Sequence, residues 1–223
     1  KLADFEWARD KVMMGTERRS MVMSEKEKRN TAYHEAGHAL VSALLPKTDP
    51  IHKVTIVPRG RALGLTAFLP KHDNHSYDID FLSNRITIAM GGRAAEEIIF
   101  DEVTTGASND IQQATDTIRN MICNWGMSKS FGPIVLGSDS QQNVLGRNIG
   151  KGREFSENTA AEIDKEMRKT IKYHDSKAKK LLRDNIDVLH KIVDVLMKEE
   201  TVDGSYIMDL LGQSKSKVEP VGG

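Results

Sequence analysis

Apolar residues recur at helical spacing over most of the chain, so the pattern predicts a mainly α protein. The clearest stripe lies in residues 156–183, where the apolar positions are four or seven residues apart: Ile163, Met167, Ile171, Ala178 and Leu182. Shorter helices are predicted from there to about Glu199 and then from Ser205 to Leu211. We therefore expect a C-terminal helical bundle.

The N-terminal half predicts four more helices, at about residues 1–15, 25–45, 78–100 and 108–125. The second has well-defined ends, because Ser24 and Glu27 form a capping box and Pro46 cannot continue a helix. The third holds Gly91 and Gly92 in its middle, which marks either a close-packing point or a break.

The chain changes character before the third of these helices, where β-branched and alternating patterns replace helical spacing. The first such run is Val54, Thr55, Ile56 and Val57. A turn-rich loop from Gly60 to Gly64 separates it from a second run at residues 65–69. These runs predict a small β hairpin with an exposed edge strand.

Composition narrows the class of protein without indicating a function. Lys and Arg together number 32, as do Asp and Glu, so the formal charge is zero and there is no global electrostatic case for nucleic acid. The single cysteine, Cys123, excludes an intrachain disulfide framework. No apolar run approaches the ~18 residues that cross a bilayer, so this fragment is expected to be soluble. Residues 212–223 offer little to bury and are expected to form a disordered tail.

Two histidines four residues apart, with a glutamate beside the first, form the pattern richest in chemistry. His34 and His38 lie on one face of the predicted helix with Cβ atoms ~5–6 Å apart, so both imidazoles can bind one Zn²⁺. Glu35 then lies beside the metal without binding it, which suits a general base that takes a proton from water. Peptide-bond hydrolysis is the leading hypothesis. The alternative is a half-buried helix whose histidines are each bonded to a carbonyl.

Catalytic zinc usually has three protein ligands, so a third ligand remains to be found. One candidate is Glu96 or Glu97, on the helix that contains the two adjacent glycines. The other is Asp110, in the first turn of the following helix. Each also has a structural interpretation, as a salt-bridged pair for the glutamates and as a helix-dipole carboxylate for Asp110. From the residues alone, both candidates stay open.

Two weaker patterns are set aside. The polar loop at residues 71–78 contains several potential ligands, but nothing in its sequence orders them and a solvated loop is expected. These ligands are His72, Asp73, His75 and Asp78.

Residues 146–151 superficially suggest a phosphate loop, yet the spacing is one residue short and Gly152 stands where a P-loop has Ser or Thr. We expect no nucleotide binding by this chain.

Four segments resemble successive motifs of the FtsH peptidase domain, in the same order: residues 34–38, 54–60, 91–97 and 105–110. The resemblance extends over about residues 1–211. It identifies the chain as the C-terminal peptidase part of a membrane-anchored, ATP-dependent zinc metalloprotease, without its ATPase domain and transmembrane segments. It implies that Asp110 is the third zinc ligand and that Glu35 is the catalytic base. Glu96 and Glu97 then become candidates for residues that support the ligands.

The resemblance also implies an assembly and a location. We expect a homohexamer of peptidase domains beneath a ring of AAA+ ATPase domains, which use ATP to thread unfolded proteins to the zinc sites. In the full-length bacterial protein, the peptidase lies on the cytoplasmic side of the cell inner membrane and degrades unfolded or misassembled membrane and cytosolic proteins. Residues 1–23 would connect to the ATPase domain. Residues 24–211 would form the peptidase domain, with the active site in about 24–130 and the C-terminal helices in 156–211.

Substrate binding by main-chain pairing is a further expectation. The strand at residues 54–57 is the candidate, because an exposed strand edge pairs with an extended peptide of any sequence. An ordinary internal strand is the alternative. Two other classes of function stand beside the protease: a structural-zinc or metal-free domain for ring assembly, and a helical adaptor whose histidine pair is incidental.

Overall fold

A computed structural model describes residues 2–18, 20–60, 62–70, 76–136 and 155–216. Within these ranges the chain forms seven α-helices and three short strands, in the order α1 (Leu2–Met14), α2 (Glu25–Leu44), β1 (Ile51–Thr55), β2 (Leu65–Phe68), α3 (Ile79–Phe100), α4 (Ser108–Cys123), α5 (Glu157–Asp184), α6 (Ile186–Glu199), β3 (Thr201–Asp203) and α7 (Gly204–Ser216). The predicted mainly α class is confirmed, and each of the predicted helices is present.

Helix α2 carries residues 34–38 and lies in the middle of the core. Its start is the predicted capping box, in which the Ser24 hydroxyl accepts from the Glu27 amide at 3.2 Å and the Ser24 amide donates to the Glu27 carboxylate at 2.9 Å. Helices α3, α5, α6 and α7 all pack against it. Ala36 and Leu40 are fully buried. Packing on several sides therefore determines which way the histidines point.

Helices α2 and α3 come together through glycine. A Cβ atom at Gly37 would lie 2.4 Å from the Gly91 carbonyl oxygen and 2.8 Å from Ala95 Cβ, far inside van der Waals contact. The glycine pair in α3 is therefore a close-packing point, and α3 continues through it without a break. We call this contact, formed by Gly37, Gly91 and Gly92, the glycine seam.

The three strands form one antiparallel sheet in the order β2-β1-β3. The predicted hairpin of β1 and β2 is confirmed, but the prediction of an exposed edge at residues 54–57 is wrong. Within β1, Val54 pairs with Thr66 of β2 on one side and with Val202 of β3 on the other. The four residues expected at the edge are all buried: Val54, Thr55, Ile56 and Val57.

Strand β3 forms because the chain reverses direction after α6. Glu200 has a left-handed backbone with a φ of 61°, and its carbonyl oxygen accepts from the Ile56 amide at 2.9 Å. The Thr55 hydroxyl donates to the same oxygen at 3.1 Å. A strand of three residues is too short to show an alternating pattern, so the sequence does not predict it.

The C-terminal helices pack onto α2 and α3 as well as onto one another. Their fully buried residues are mostly large and branched: Leu182, Leu189, Ile192, Leu196 and Ile207. Helix α7 continues to Ser216, beyond its predicted end at Leu211. Residues 217–223 of the predicted tail lie outside the described residues.

The segment that precedes α2 docks onto the sheet. The Asp10 carboxylate accepts from His52 at 2.8 Å and from Lys53 at 2.5 Å, and the Arg59 guanidinium donates to the Gly15 carbonyl oxygen at 3.0 Å. The first two contacts hold α1 against β1, and the third joins the residue after α1 to the loop that follows β1. The role of this segment as a connector to another domain stays a prediction.

Candidate metal centre and active site

Three side chains from two helices converge on one point. The Nε2 atoms of His34 and His38 are 3.0 Å apart, and Asp110 Oδ2 lies 3.1 Å from the first and 3.4 Å from the second. Ligands in a zinc tetrahedron with bonds of about 2.0–2.1 Å are about 3.3 Å from one another. The three atoms therefore have the spacing of one face of that tetrahedron. No other group of three potential ligands is as close in the part of the chain that the structure describes.

A hydrogen bond at the second ring nitrogen orients each imidazole. His38 Nδ1 donates to the Ile88 carbonyl oxygen at 2.7 Å, and His34 Nδ1 donates to the Glu96 carboxylate at 2.6 Å. With Nδ1 engaged in this way, each Nε2 atom faces the centre as a potential ligand. Ile88 and Glu96 both lie on α3, so the same helix orients both rings.

Glu96 also links His34 to the loop that precedes Asp110. Its Oε2 atom accepts from the Thr104 hydroxyl at 2.9 Å and from the Thr104 amide at 3.3 Å. Thr104 caps the 3-10 turn Thr105–Ala107, and α4 follows directly with Asp110 in its first turn. Glu96 therefore couples the positions of two potential ligands that are far apart in the sequence.

The absence of a side chain at Gly92 makes room for the two imidazoles. A Cβ atom there would lie 2.6 Å from His34 Cε1 and 2.6 Å from His38 Nε2. Because α3 also orients both rings, neither ring can move away without losing its hydrogen bond. The glycine seam therefore shapes the metal centre as well as the helix contact.

Glu35 is next to His34 in the sequence and is not one of the three converging ligands. It is buried, and its Oε2 atom accepts from the Thr66 hydroxyl at 2.8 Å. Gly64 lies over the same side chain, where a Cβ atom would be 2.8 Å from Glu35 Cγ. The start of β2 therefore covers the candidate base.

Charge in the centre is arranged to hold a cation. Burial opposes protonation of His34, but hydrogen bonds to Asp110 and Glu96 outweigh it and raise the pKa of His34 to about 10. Burial also acts to raise the pKa of Asp110, yet hydrogen bonds to His34 and His38 hold that pKa far below its usual range. Because zinc ligands must be deprotonated, a Zn²⁺ ion that binds here displaces the proton from His34.

The structure separates the candidates for the third ligand. Asp110 supplies the oxygen that joins the two Nε2 atoms. Glu96 is instead hydrogen-bonded to the far nitrogen of one imidazole. Glu97 accepts from Arg93 at 2.9 Å and from Lys179 at 2.7 Å, so it belongs to an ion-pair network between α3 and α5.

The other sequence candidates lie elsewhere. Residues 54–57 are buried, with Val54 and Thr55 in the middle strand of the sheet and Ile56 and Val57 directly after it. Asp78 caps α3, where its carboxylate accepts from the Phe81 amide at 2.7 Å. Residues 71–75 and 146–152 lie outside the described residues.

Glu96 was a candidate from the sequence, but the other residues that support the centre could not be predicted from it. Thr66, Thr104 and the Ile88 carbonyl all bond to site residues, yet neither their type nor their spacing distinguishes them from ordinary polar or backbone groups. Gly92 had a signal, because adjacent glycines inside a helix indicate close packing. That the space at Gly92 is occupied by the two imidazoles could be seen only in the structure.

Comparison with known proteins agrees with this geometry. The family model described as peptidase family M41 matches residues 21–210. The chain is 46% identical to the ATP-dependent zinc metalloprotease FtsH of Photobacterium profundum over 223 residues, which are 99% of the chain and 32% of that relative. It is 49% identical to the FtsH proteins of Buchnera aphidicola and Myxococcus xanthus, over 94% of the chain in both cases and 35% and 33% of the relatives. The chain thus spans about a third of the length of the curated relatives it matches.

Within the described ranges, no helix has both the length and the apolar character needed to cross a membrane. The matched family model covers most of the chain, including all the residues of the metal centre. The FtsH relatives are zinc metalloproteases by name, in keeping with two histidines and an aspartate at zinc spacing. This chain belongs to peptidase family M41.

Proposed function

We propose that this chain is a zinc-dependent endopeptidase, in which His34, His38 and Asp110 hold Zn²⁺ and Glu35 is the general base. The observation that carries the proposal is the triangle of donor atoms, with edges of 3.0, 3.1 and 3.4 Å. Family membership and the names of the FtsH relatives support it.

Glu35 makes the proton transfers in the proposed reaction. Zinc, when bound, supplies a Lewis acid that makes water more acidic and polarises a carbonyl oxygen. Glu35 takes the proton of the water that attacks the peptide carbonyl, and it then passes this proton to the amine that leaves. Because Glu35 is buried, bulk water does not compete for the proton. Glu96 keeps His34 oriented during both steps.

The outer edge of β2 is the proposed binding site for the substrate backbone, in place of residues 54–57. In the described part of the chain β2 pairs with β1 alone, and the Thr66 side chain reaches Glu35 from this strand. An extended peptide that pairs with the free edge gains main-chain hydrogen bonds without any demand on its sequence. Such binding suits unfolded substrates.

The proposed biological setting follows the relatives. The FtsH proteins are named ATP-dependent, and this chain spans about a third of their length. We therefore place it in a homohexamer, with AAA+ ATPase domains of the same polypeptide that deliver unfolded or misassembled proteins at the cytoplasmic side of the cell inner membrane. On its own, the chain is expected to cut flexible proteins slowly and stable folded proteins not at all.

A comparison of Glu35→Gln with the parent tests the function. The substitution removes the base and leaves the three ligands, so casein cleavage is expected to fall by about 10²–10⁴-fold while zinc content stays the same. Glu97→Gln is the control, since it removes a carboxylate from the ion-pair network and should keep both zinc and activity. A Glu35→Gln variant that cleaves casein at the parent rate would refute the proposed mechanism.

Zinc analysis tests the endopeptidase against the other two classes of function. Asp110→Asn is expected to lose zinc or bind it weakly, because it removes the charged ligand that faces both imidazoles. A parent chain that holds zinc but cleaves nothing supports a structural-zinc domain. A parent chain that binds no zinc refutes the endopeptidase and supports either a metal-free assembly domain or the helical adaptor.

A further inference from the structure

The start of β2 makes two contacts with Glu35 that the zinc ligands do not require. The Thr66 hydroxyl lies 2.8 Å from Glu35 Oε2 and 3.0 Å from the Glu35 carbonyl oxygen, so it bridges the side chain and the backbone of the same residue. Thr66 is 8% exposed, and Glu35 is 7% exposed. The bridge is therefore shielded from solvent that would otherwise compete with it.

The backbone at Gly64 passes close to the other carboxylate oxygen of Glu35, Oε1. A Cβ atom at Gly64 would lie 3.0 Å from Glu35 Oε1 and 2.8 Å from Cγ. Glycine thus allows the chain to pass close over Glu35 without a side chain against Oε1. One oxygen is held by a hydroxyl, and the other is left for the proton that the reaction transfers.

We propose that Thr66 is a positioning residue for the Glu35 base, an inference that rests on the endopeptidase function proposed above. A glutamate side chain has several rotatable bonds, and a general base is effective only within hydrogen-bond reach of the proton that it takes. The Thr66 hydroxyl fixes Oε2 relative to α2, so Oε1 keeps one direction from turnover to turnover. The Thr66 hydroxyl acts on the base, and Thr66 is not one of the three converging ligands.

Thr66 also couples the position of β2 to that of Glu35. Thr66 lies on β2, the strand whose outer edge is free among the described residues, and it pairs with Val54 on the inner side. A shift of β2 therefore moves the hydroxyl that orients Glu35. The correct position of β2 and the correct orientation of Glu35 therefore depend on each other.

The test compares Thr66→Val with Thr66→Ser in the zinc-loaded protein. Valine keeps the shape and removes the hydroxyl, so kcat on a fluorogenic peptide is expected to fall roughly 10–100-fold, as for a misplaced catalytic group, with KM changed less than about twofold. Serine keeps the hydroxyl and should restore most of kcat. Zinc content should be equal in all three proteins.

Thr87→Val is the matched control for loss of a buried hydroxyl. Thr87 is also buried, and its hydroxyl also bonds one carbonyl oxygen, of Ser83 at 3.0 Å, and one side chain, His174 at 2.8 Å. We expect Thr87→Val and Thr66→Val to lower the melting temperature comparably, but only Thr66→Val to lower kcat. A kcat that falls equally in both variants would overturn the positioning role.

A double variant tests whether Thr66 acts through Glu35. If it does, Thr66→Val should cause no further loss of kcat in the Glu35→Gln background, because the base that it orients is gone. A further loss of the same size in that background would overturn the proposal. The two proposals fail differently: parent kcat in Thr66→Val refutes positioning alone, whereas a zinc-loaded parent that cleaves nothing refutes the endopeptidase function and the positioning with it.

Discussion

Helix α2 meets its neighbours in two different ways. Toward α3 the contact is the glycine seam, where the two backbones touch and an added methyl group would collide. Toward α6 it faces a helix whose fully buried residues are large and branched: Leu189, Ile192 and Leu196. The first contact sets the positions of the atoms proposed to bind zinc, and the second supplies the apolar burial that stabilises the fold. Geometry and stability are thus carried by different faces of one helix.

Two buried histidines show the same contrast in charge. His34 is hydrogen-bonded to two carboxylates, which overcome burial and raise its pKa to about 10. His174 on α5 is hydrogen-bonded to the Thr87 hydroxyl, and burial, with a smaller effect of Lys177, lowers its pKa to about 4. Burial lowers the pKa of both, so the neighbouring charges decide the result. The carboxylates of the proposed metal centre favour a positive charge, and the C-terminal region keeps its histidine neutral.

Among the variants that test these contrasts, Gly92→Ala is expected to have the largest effect, because it places a methyl group between the two imidazoles. The added Cβ would lie 2.6 Å from atoms of both rings. Zinc affinity is expected to fall by more than about 100-fold, beyond the loss typical of removing an outer partner of a ligand. Calorimetric zinc titration measures this.

Gly212→Ala on α7 is the control for Gly92→Ala, since nothing lies within 4 Å of a Cβ atom there. It should leave zinc affinity unchanged. If Gly92→Ala also binds zinc as the parent does, the glycine seam does not position the rings.

Leu189→Ala tests the apolar contact between α2 and α6. It removes a fully buried branched side chain, so the free energy of unfolding is expected to fall by about 2–5 kcal/mol. Zinc affinity of the folded protein should stay the same, because no ligand or ligand partner is touched. Urea unfolding and zinc titration measure the two quantities separately. A loss of zinc affinity as large as that of Gly92→Ala would mean that the two faces are not independent.

Glu96→Gln should have an intermediate effect confined to the centre. It removes the charge that accepts from His34 and that holds Thr104, so zinc affinity is expected to fall about 10–100-fold. Competition with a chelating dye measures the change. Glu97→Gln, one residue further along α3, should bind zinc as the parent does. Equal losses of zinc affinity in both variants would mean that the negative charge on α3 matters, and that the hydrogen bond between Glu96 and His34 does not.

His174→Gln should have the smallest of these effects, measured as a change in how the free energy of unfolding depends on pH. The unfolded chain binds a proton at His174 below its ordinary pKa of 6.5, whereas the folded chain does so only near pH 4. The free energy of unfolding therefore falls as the pH drops through this window, by about 1.4 kcal/mol per pH unit at most. Between pH 7.5 and 5.5, the zinc-free parent should lose about 1 kcal/mol more than the zinc-free variant in urea unfolding. Equal losses would assign the acid sensitivity to other groups.

Features that depend on neighbours in the sequence could be predicted from it. The capping box at Ser24 and Glu27 involves residues three apart, so it forms wherever a helix starts there. The common face of His34 and His38 follows from helical geometry alone. The long amphipathic stripe of α5 likewise requires only that one side of the helix be buried.

The sheet also depends on contacts between segments that are distant in the sequence, which could not be predicted. Whether β1 is an edge strand depends on β3, which pairs with it across about 150 residues of chain because of a turn at Glu200. The hydrogen bond from Thr66 to Glu35 has the same origin, since β2 comes to lie beside α2 only when the sheet docks. A strand of three residues or a single hydroxyl has no sequence pattern from which such a contact could be predicted.

The sequence by itself determined the helices, the pair of imidazoles on one face and the residue types available as ligands. The tertiary structure decided which side chains each carboxylate contacts. Adjacent residues on a helix point about 100° apart, so Glu96 and Glu97 cannot both face His34. The rotation of α3 against α2, set where Gly37 meets Gly91, turns Glu96 toward the histidine and Glu97 toward Lys179, and the docking of α4 then brings Asp110 to the ligand atoms.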